Sequence, residues 1–112
     1  MVRPTLSASE TAALLEFMAA ARRLLGVALR EARLFGSRAR GEGDERSDLD
    51  IALIVAAGAR ARRHEVYDLA FDIGLAHGVE LAPLVIEAPQ FQALKDRERR
   101  LAAAIEEEGV PL

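Results

Sequence analysis

The run LDIALIV, at positions 49–55, constrains the fold more than any other part of this chain. It is short, almost continuously apolar and bounded by residues typical of turns, a combination that predicts a central β-strand. Helical patterns and two further strand-like runs lie on either side of it in the sequence. The resulting order of helix, strand, strand, helix, strand, helix predicts an α/β domain with a small sheet and flanking helices.

Caps and apolar spacing predict the boundaries of the other elements. Ser7 and Glu10 have the spacing of a capping box, which marks the start of a helix. Pro83 cannot donate a backbone hydrogen bond, so its strand should lie at a sheet edge or contain a bulge. The polar, glycine-punctuated segment 37–48 predicts a short helical turn followed by a loop. The remaining predicted elements are a helix over 9–25, a strand over 27–35, a helix over 62–77, a strand over 79–86 and a helix over 89–109.

Length, charge and cysteine content exclude several classes of protein. The chain has 112 residues, which predicts a single domain over residues 1–112. Its net charge of −3 argues against affinity gained from many phosphate contacts, so direct nucleic-acid binding is not expected. The absence of cysteine excludes disulfides, thiolate metal sites and cysteine nucleophiles. No signal peptide or long apolar run is visible, and we therefore expect a cytoplasmic protein that does not bind membranes.

Three carboxylates stand out because they lie within or beside apolar strands. Side chains alternate along an extended chain, so Asp48 and Asp50 point to the same side of their strand. Glu80 has a similar place in the run VELAPLVI, and all three acids converge if the two strands pair. Such a cluster requires a proton or a divalent cation, and oxygen ligands suit Mg²⁺ or Mn²⁺. The alternative is that these are solvated acids at the entrances of two strands.

A second motif precedes the aspartates by about ten residues. Gly36 and Ser37 lie at a predicted strand-to-helix turn, where backbone N–H groups and a hydroxyl can hold a phosphate. Arg38 and Arg40 add positive charge in the next turn, either for phosphate contact or simply to solvate a short helix. A phosphate-binding loop combined with metal-binding acids predicts phosphoryl or nucleotidyl transfer by in-line displacement.

The segment GSRARGEGDERSDLDIALIV, followed by the acidic strand VEL, resembles the minimal nucleotidyltransferases of the DNA polymerase β-like superfamily. The shared signature is Gly-Ser, a spacer of about ten residues, Asp-x-Asp, and a third acid flanked by apolar residues on a later strand. These motifs span residues 33–86 of the chain. The resemblance implies the polymerase β-like nucleotidyltransferase fold, with a small mixed sheet.

The resemblance also implies roles for individual residues. Asp48 and Asp50 would bind Mg²⁺, two ions being expected, and Gly36 and Ser37 would hold the phosphates of ATP. Glu80 would be the third catalytic acid, either as a ligand of the second metal or as the base that deprotonates an acceptor hydroxyl. Many relatives carry aspartate at that position, so the longer glutamate is a departure from the pattern.

Relatives of this size imply a protein partner. Free-standing minimal nucleotidyltransferases are often antitoxins that transfer AMP to a tyrosine hydroxyl of a HEPN-domain ribonuclease toxin, which predicts a hetero-oligomer. Two alternatives stay open. The chain could neutralise its partner by binding alone, or it could modify a small-molecule hydroxyl. Enzymes of the latter kind usually carry an added helical domain, for which these 112 residues leave no room.

Overall fold

The computed structural model describes residues 6–41, 48–97 and 99–112. Within them, the helices and strands follow the predicted order as far as α3, and two short 3-10 helices, Gly26–Ala28 and Ala59–Arg62, connect elements. The helices are α1 (Ala8–Leu25), α2 (Arg63–His77), α3 (Ala88–Arg97) and α4 (Arg99–Glu106), and the strands are β1 (Leu29–Phe35), β2 (Leu49–Val55), β3 (Leu81–Glu87) and β4 (Val110–Pro111).

The predicted capping box at the start of α1 is confirmed. The Ser7 hydroxyl accepts a hydrogen bond from the Glu10 backbone N–H at 3.1 Å, and Glu10 Oε1 accepts one from the Ser7 backbone N–H at 2.8 Å. These two contacts satisfy two of the N–H groups that every helix start leaves without a partner. They also fix the position of the Glu10 side chain, which is buried.

The sheet is mixed, as predicted, with the strand order β3-β2-β1-β4. Strand β2 pairs antiparallel with β1 and parallel with β3, and β1 pairs antiparallel with β4. Strand β2 is therefore central, and Pro83 lies on the edge strand β3, as its chemistry predicted. The parallel pairing requires a crossover between β2 and β3, which α2 supplies. As a result the N-terminal ends of these two strands lie side by side.

Helices cover both faces of the sheet. Alternate residues of β2 pack on opposite sides, so Ile51, Leu53 and Val55 contact the core under α1 and α2. Ala52 and Ile54 face the other way and pack with apolar residues of α3 and α4, among them Phe91 and Ile105. Since the alternation has a period of two, Asp48 and Asp50 belong to the face that α3 and α4 cover.

The C-terminal region differs from the prediction of one helix over 89–109. The structure has two helices there, α3 and α4, followed by the strand β4, which the sequence analysis did not predict. Helix α4 ends at Glu106, before Gly109, and Arg33 of β1 donates hydrogen bonds to the carbonyl oxygens of Ile105 at 3.4 Å and Glu106 at 2.9 Å, which have no partner within the helix. None of the helices among the described residues has both the length and the apolar character needed to cross a lipid bilayer.

Candidate active site

The start of the parallel pair β2–β3 brings Asp48 and Glu80 together. The Leu49 backbone N–H donates a hydrogen bond to the Glu80 carbonyl oxygen at 2.9 Å, and Leu49 pairs with Leu81 in the register of the two strands. Asp48 and Glu80 therefore stand at the same level, one residue before the paired strands. Their carboxyl groups are both exposed and lie close enough to interact. The strand pairing on which the predicted convergence depends is therefore present, and it brings Asp48 and Glu80 together.

Two of the three carboxyl groups at this site have a raised pKa. The hydrogen bond from Asp48, then the negative charge of Asp48, and then burial raise the pKa of Glu80 above its ordinary value. Asp50 is half-buried, and burial followed by the charge of Asp48 raises the pKa of its carboxyl as well. The site thus holds more negative charge than its surroundings stabilise, which is the electrostatic condition that favours a bound cation or proton.

The three acids do not form one compact ligand set. Within the described ranges, no group of three or more histidine, aspartate or glutamate side chains is arranged closely enough to hold a metal ion. Glu80 is turned towards Asp48, whereas the Asp50 carboxylate lies against the backbone of Gly36. Metal binding by Asp48, Asp50 and Glu80 therefore stays a prediction, supported by the oxygen donors and by their mutual repulsion.

Gly36 is the point where the predicted phosphate loop meets the aspartates. Phe35 pairs with Asp50 across β1 and β2, and the next residue, Gly36, turns away with a φ of 77°. A Cβ atom at Gly36 would overlap Asp50 Oδ2 and would lie 3.3 Å from Asp50 Cγ. Only glycine provides both the positive φ and the free space, so the Gly-Ser loop can lie directly against the Asp50 carboxylate.

The segment after Gly36 forms the predicted turn. The Arg40 backbone N–H donates to the Gly36 carbonyl oxygen at 3.4 Å, and the Gly41 N–H donates to the Arg38 carbonyl oxygen at 3.3 Å. Ser37 is half-buried within this turn. The remainder of the predicted loop, residues 42–47, lies outside the described residues. We call residues 36–41 the nucleotide loop below.

Arg38 has a contact that the sequence analysis did not predict. Its side chain is only 4% exposed, and its guanidinium donates to both oxygens of Glu10, with Nη1 to Oε2 at 2.5 Å and Nη2 to Oε1 at 2.7 Å. Burial acts to raise the pKa of Glu10, but the hydrogen bonds from Arg38 and Ser7 outweigh it and lower the pKa below its ordinary value. The phosphate contact predicted for Arg38 stays a prediction, and this buried pair gives the side chain a structural role as well.

Arg40 also contacts a carboxylate. Its Nη1 atom donates to Glu108 Oε2 at 2.9 Å, and both side chains are partly exposed. Solvent weakens such a pair, so its contribution to the free energy of unfolding is about 0–1 kcal/mol. The contact links the nucleotide loop to the segment between α4 and β4. A phosphate contact of Arg40 stays a prediction.

An apolar groove of about 640 Å³ lies between α2 and the edge strand β3, and Glu80 is at its border. Phe71 and Leu75 stand one helical turn apart at this groove and are 69% and 73% exposed. Phe17 and Phe91, equally apolar in the sequence, are buried in the core. Helical spacing could not distinguish these three phenylalanines, because the difference depends on which helix face the sheet covers.

Comparison with solved structures supports the fold. A structure described as a minimal nucleotidyltransferase is 24% identical, and the match covers 96% of this chain and 99% of that chain with a TM-score of 0.59. A variant of the MntA-HpeT toxin–antitoxin is 20% identical over 96% of this chain and 72% of that one, with a TM-score of 0.53. A toxin–antitoxin with AMP-PNP is 21% identical over 85% of this chain and 68% of that one, with a TM-score of 0.52.

These matches confirm the predicted fold, a mixed sheet with helices as in a minimal nucleotidyltransferase. No curated protein matches the sequence significantly. The family model of the nucleotidyltransferase domain matches residues 16–110, a range that contains both motifs and the Glu80 strand. With most of its length matched by that model, the chain belongs to the nucleotidyltransferase-domain family.

Proposed function

We propose that this protein transfers AMP from ATP to a hydroxyl group of a partner protein. The observation that carries the proposal is the contact between the Gly36 backbone and the Asp50 carboxylate, because it joins a candidate phosphate loop to candidate metal ligands. Membership of the nucleotidyltransferase-domain family supports the same reaction class. A solved toxin–antitoxin of the same fold carries AMP-PNP, which supports an adenine nucleotide as the substrate.

The acids fit a hard divalent cation such as Mg²⁺. All the candidate ligands are carboxylate oxygens, which Mg²⁺ prefers. Burial, and then repulsion from Asp48, raise the pKa of Asp50, and a bound cation would relieve both effects. Asp48 and Asp50 would hold the metal, and Glu80 would either bind a second ion or act as the base. When bound, Mg²⁺ supplies positive charge that stabilises the phosphates and the developing charge of the transition state.

The residues of this chain then have distinct tasks. Gly36 and Ser37 bind the phosphates through backbone N–H groups and the serine hydroxyl. The acceptor hydroxyl oxygen forms a bond to the α-phosphorus, and the bond from that phosphorus to the bridging oxygen breaks, so that pyrophosphate leaves. If Glu80 does not bind the second ion, its exposed side chain, in the ionised form, takes the hydroxyl proton; its raised pKa makes it a stronger base than an ordinary glutamate.

A protein acceptor is supported by two observations. The toxin–antitoxin structures share this fold, and they are complexes of two proteins. The groove with Phe71 and Leu75 presents apolar side chains beside Glu80, which favours contact with a macromolecule over contact with water. We propose that the partner is a HEPN-domain toxin, that the acceptor is a tyrosine, and that the two proteins form a hetero-oligomer.

The test mixes this protein with the product of a neighbouring reading frame, ATP and Mg²⁺, and measures the partner by intact mass spectrometry. The expected result is a mass increase by one or more AMP groups and the loss of that increase in Asp50→Asn. Asp72→Asn is the matched control, since Asp72 is an exposed aspartate of α2 outside the described contacts of the site. An unmodified partner, or equal modification by Asp50→Asn, contradicts the proposal.

A second function, neutralisation by binding alone, is favoured by the apolar groove. It predicts that Asp50→Asn still silences the partner, whereas Phe71→Ser does not. The transfer function predicts that silencing requires both the acids and ATP. A nucleotidyltransferase that acts on a small molecule would modify a hydroxyl compound with no protein partner present, and the same assay with the partner omitted detects it.

A further inference from the structure

Glu10 is a buried charged residue that the proposed reaction does not use. Its side chain is 4% exposed, as is that of Arg38, and the two residues are 28 positions apart in the chain. Buried carboxylates are costly unless they are paired and hydrogen-bonded. A helix cap alone requires only the hydroxyl of Ser7, so the burial of a full ion pair at this helix start calls for a further explanation.

Glu10 connects two separate parts of the fold through its two oxygens. Oε1 accepts a hydrogen bond from the Ser7 backbone at 2.8 Å and another from Arg38 Nη2 at 2.7 Å, and Oε2 accepts one from Arg38 Nη1 at 2.5 Å. This forked geometry fixes the orientation of the guanidinium as well as its distance. Arg38 directly follows Ser37, so its backbone position constrains where the Gly36–Ser37 peptide lies.

The nucleotide loop is anchored on a second side by Ala39. This residue is 2% exposed and packs with Leu34 of β1 and Leu49 of β2. The loop is thus held to the sheet by Ala39 and to α1 by Arg38. The third contact, Arg40 with Glu108, is partly exposed and therefore weaker. Among these contacts, the Glu10–Arg38 pair is the one that fixes a polar side chain in a single geometry.

We infer that Glu10 is a positioning residue for nucleotide binding, which acts through Arg38 to hold the Gly36–Ser37 backbone against Asp50. The inference rests on the proposed function, since it names a support for that nucleotide site. The physical reason for such a support is that Gly36 lies against Asp50 with no space between them. A small displacement of the loop therefore moves both the N–H groups that would bind phosphate and the Asp50 carboxylate that would bind metal. A misplacement of about 1 Å can lower a reaction rate about 100-fold.

The test compares the affinity for AMP-PNP with Mg²⁺, measured by calorimetry, between wild type and Glu10→Gln. We expect a loss of about tenfold to 100-fold, the range usual when a residue that orients a ligand-binding group is removed. The control is Leu25→Ala, which removes buried apolar contacts at the opposite end of the same helix. It should lower the melting temperature and leave affinity unchanged. Equal affinity of Glu10→Gln and wild type overturns the inference.

A double variant separates positioning from stability. Glu10→Gln combined with Arg38→Met removes both buried charges, so it should be more stable than Arg38→Met, in which the Glu10 carboxylate is left without its partner. The inference predicts that its affinity for AMP-PNP stays as low as that of the single variants, because the loop still lacks its anchor. If affinity recovers together with stability, Glu10 has only a structural role and the inference is wrong.

Hydrogen exchange tests the anchor without any nucleotide. In Glu10→Gln, amide exchange should accelerate in residues 36–41 and stay unchanged in β2, whereas Leu25→Ala should leave the loop unaffected. Unchanged exchange in the loop overturns the inference, whatever the nucleotide results. If wild type does not bind AMP-PNP but exchange in the loop of Glu10→Gln accelerates as expected, the proposed function is wrong. The Glu10–Arg38 pair would still be shown to hold residues 36–41 in place.

Discussion

Substituting Gly36 by alanine tests the contact on which the proposed site depends. An alanine at a φ of 77° is strained by about 1–2 kcal/mol, because L-residues clash with their own backbone in this region. The new Cβ atom would also overlap Asp50 Oδ2, so either the loop or the carboxylate must move. A shift of about 1 Å in either group lowers the transfer rate about 100-fold. Gly36→Ala should therefore lose both stability and activity.

Gly58 provides the matched control. It has a φ of 87°, and a Cβ atom added there would meet no atom within 4 Å. The free energy of unfolding of Gly58→Ala should fall by the same amount, about 1–2 kcal/mol, while its activity is unchanged. Each kcal/mol corresponds to a fall of roughly 4–8 °C in melting temperature. Thermal unfolding and transfer from labelled ATP measure the two effects separately. If the activity of Gly36→Ala lies within twofold of that of Gly58→Ala, the close approach of Gly36 to Asp50 has no functional role.

Three further substitutions test other parts of the structure. Because its ion pair with Arg38 lowers the pKa of Glu10, that pair stabilises the fold above about pH 4.5, and the stabilisation is lost as the pH falls through the lowered pKa. Glu10→Gln should therefore lower the free energy of unfolding by about 3 kcal/mol at pH 7. In denaturant unfolding, the difference in this free energy between wild type and variant should become smaller in acid. A difference that does not change with pH would contradict this reasoning. Asp48→Asn removes the carboxyl group whose hydrogen bond, and then whose charge, raise the pKa of Glu80. Because the repulsion between the two acids is lost, the variant should melt at a higher temperature than wild type without Mg²⁺ and ATP, and it should show no transfer. Adding Mg²⁺ should raise the melting temperature of wild type only, and an equal rise in Asp48→Asn would exclude that residue as a ligand. Phe71→Ser should weaken partner binding by about 2 kcal/mol, or roughly 30-fold, in calorimetry. Leu15→Ser, at a residue 68% exposed on α1, is the control, and equal binding by both variants would exclude the groove as a partner site.

The local parts of the fold could be predicted because their signals lie within a few residues of each other. Strand β2 has apolar residues on both faces, and the capping box of α1 needs only a serine and a glutamate at fixed spacing. Strand β4 has two residues, too few for any alternation to be visible, and its position depends on pairing with Arg33 and Leu34. Its formation is a tertiary effect that no local pattern encodes.

The candidate site also depends on tertiary contacts that local sequence patterns do not encode. The motif spacing predicted that Gly36, Asp48, Asp50 and Glu80 would belong to one site, and the structure brings Asp48 to Glu80 and Asp50 to Gly36. Sequence alone assigned Glu10 only to a helix cap. Its second partner lies 28 residues away, and only the packing of α1 beside the nucleotide loop brings the two charges together.

The proline in the edge strand β3 has a consequence for how other molecules approach the acids. An open strand edge is a template on which a second extended chain can pair, and proteins that expose one risk self-association. Pro83 lacks one of the N–H donors that such pairing would need, close to the point where the strand begins beside Glu80. The carboxylate end of the sheet can therefore remain open to solvent without recruiting another strand. Molecules that reach Glu80 from this side therefore depend more on side-chain contacts and on shape than on backbone pairing with β3.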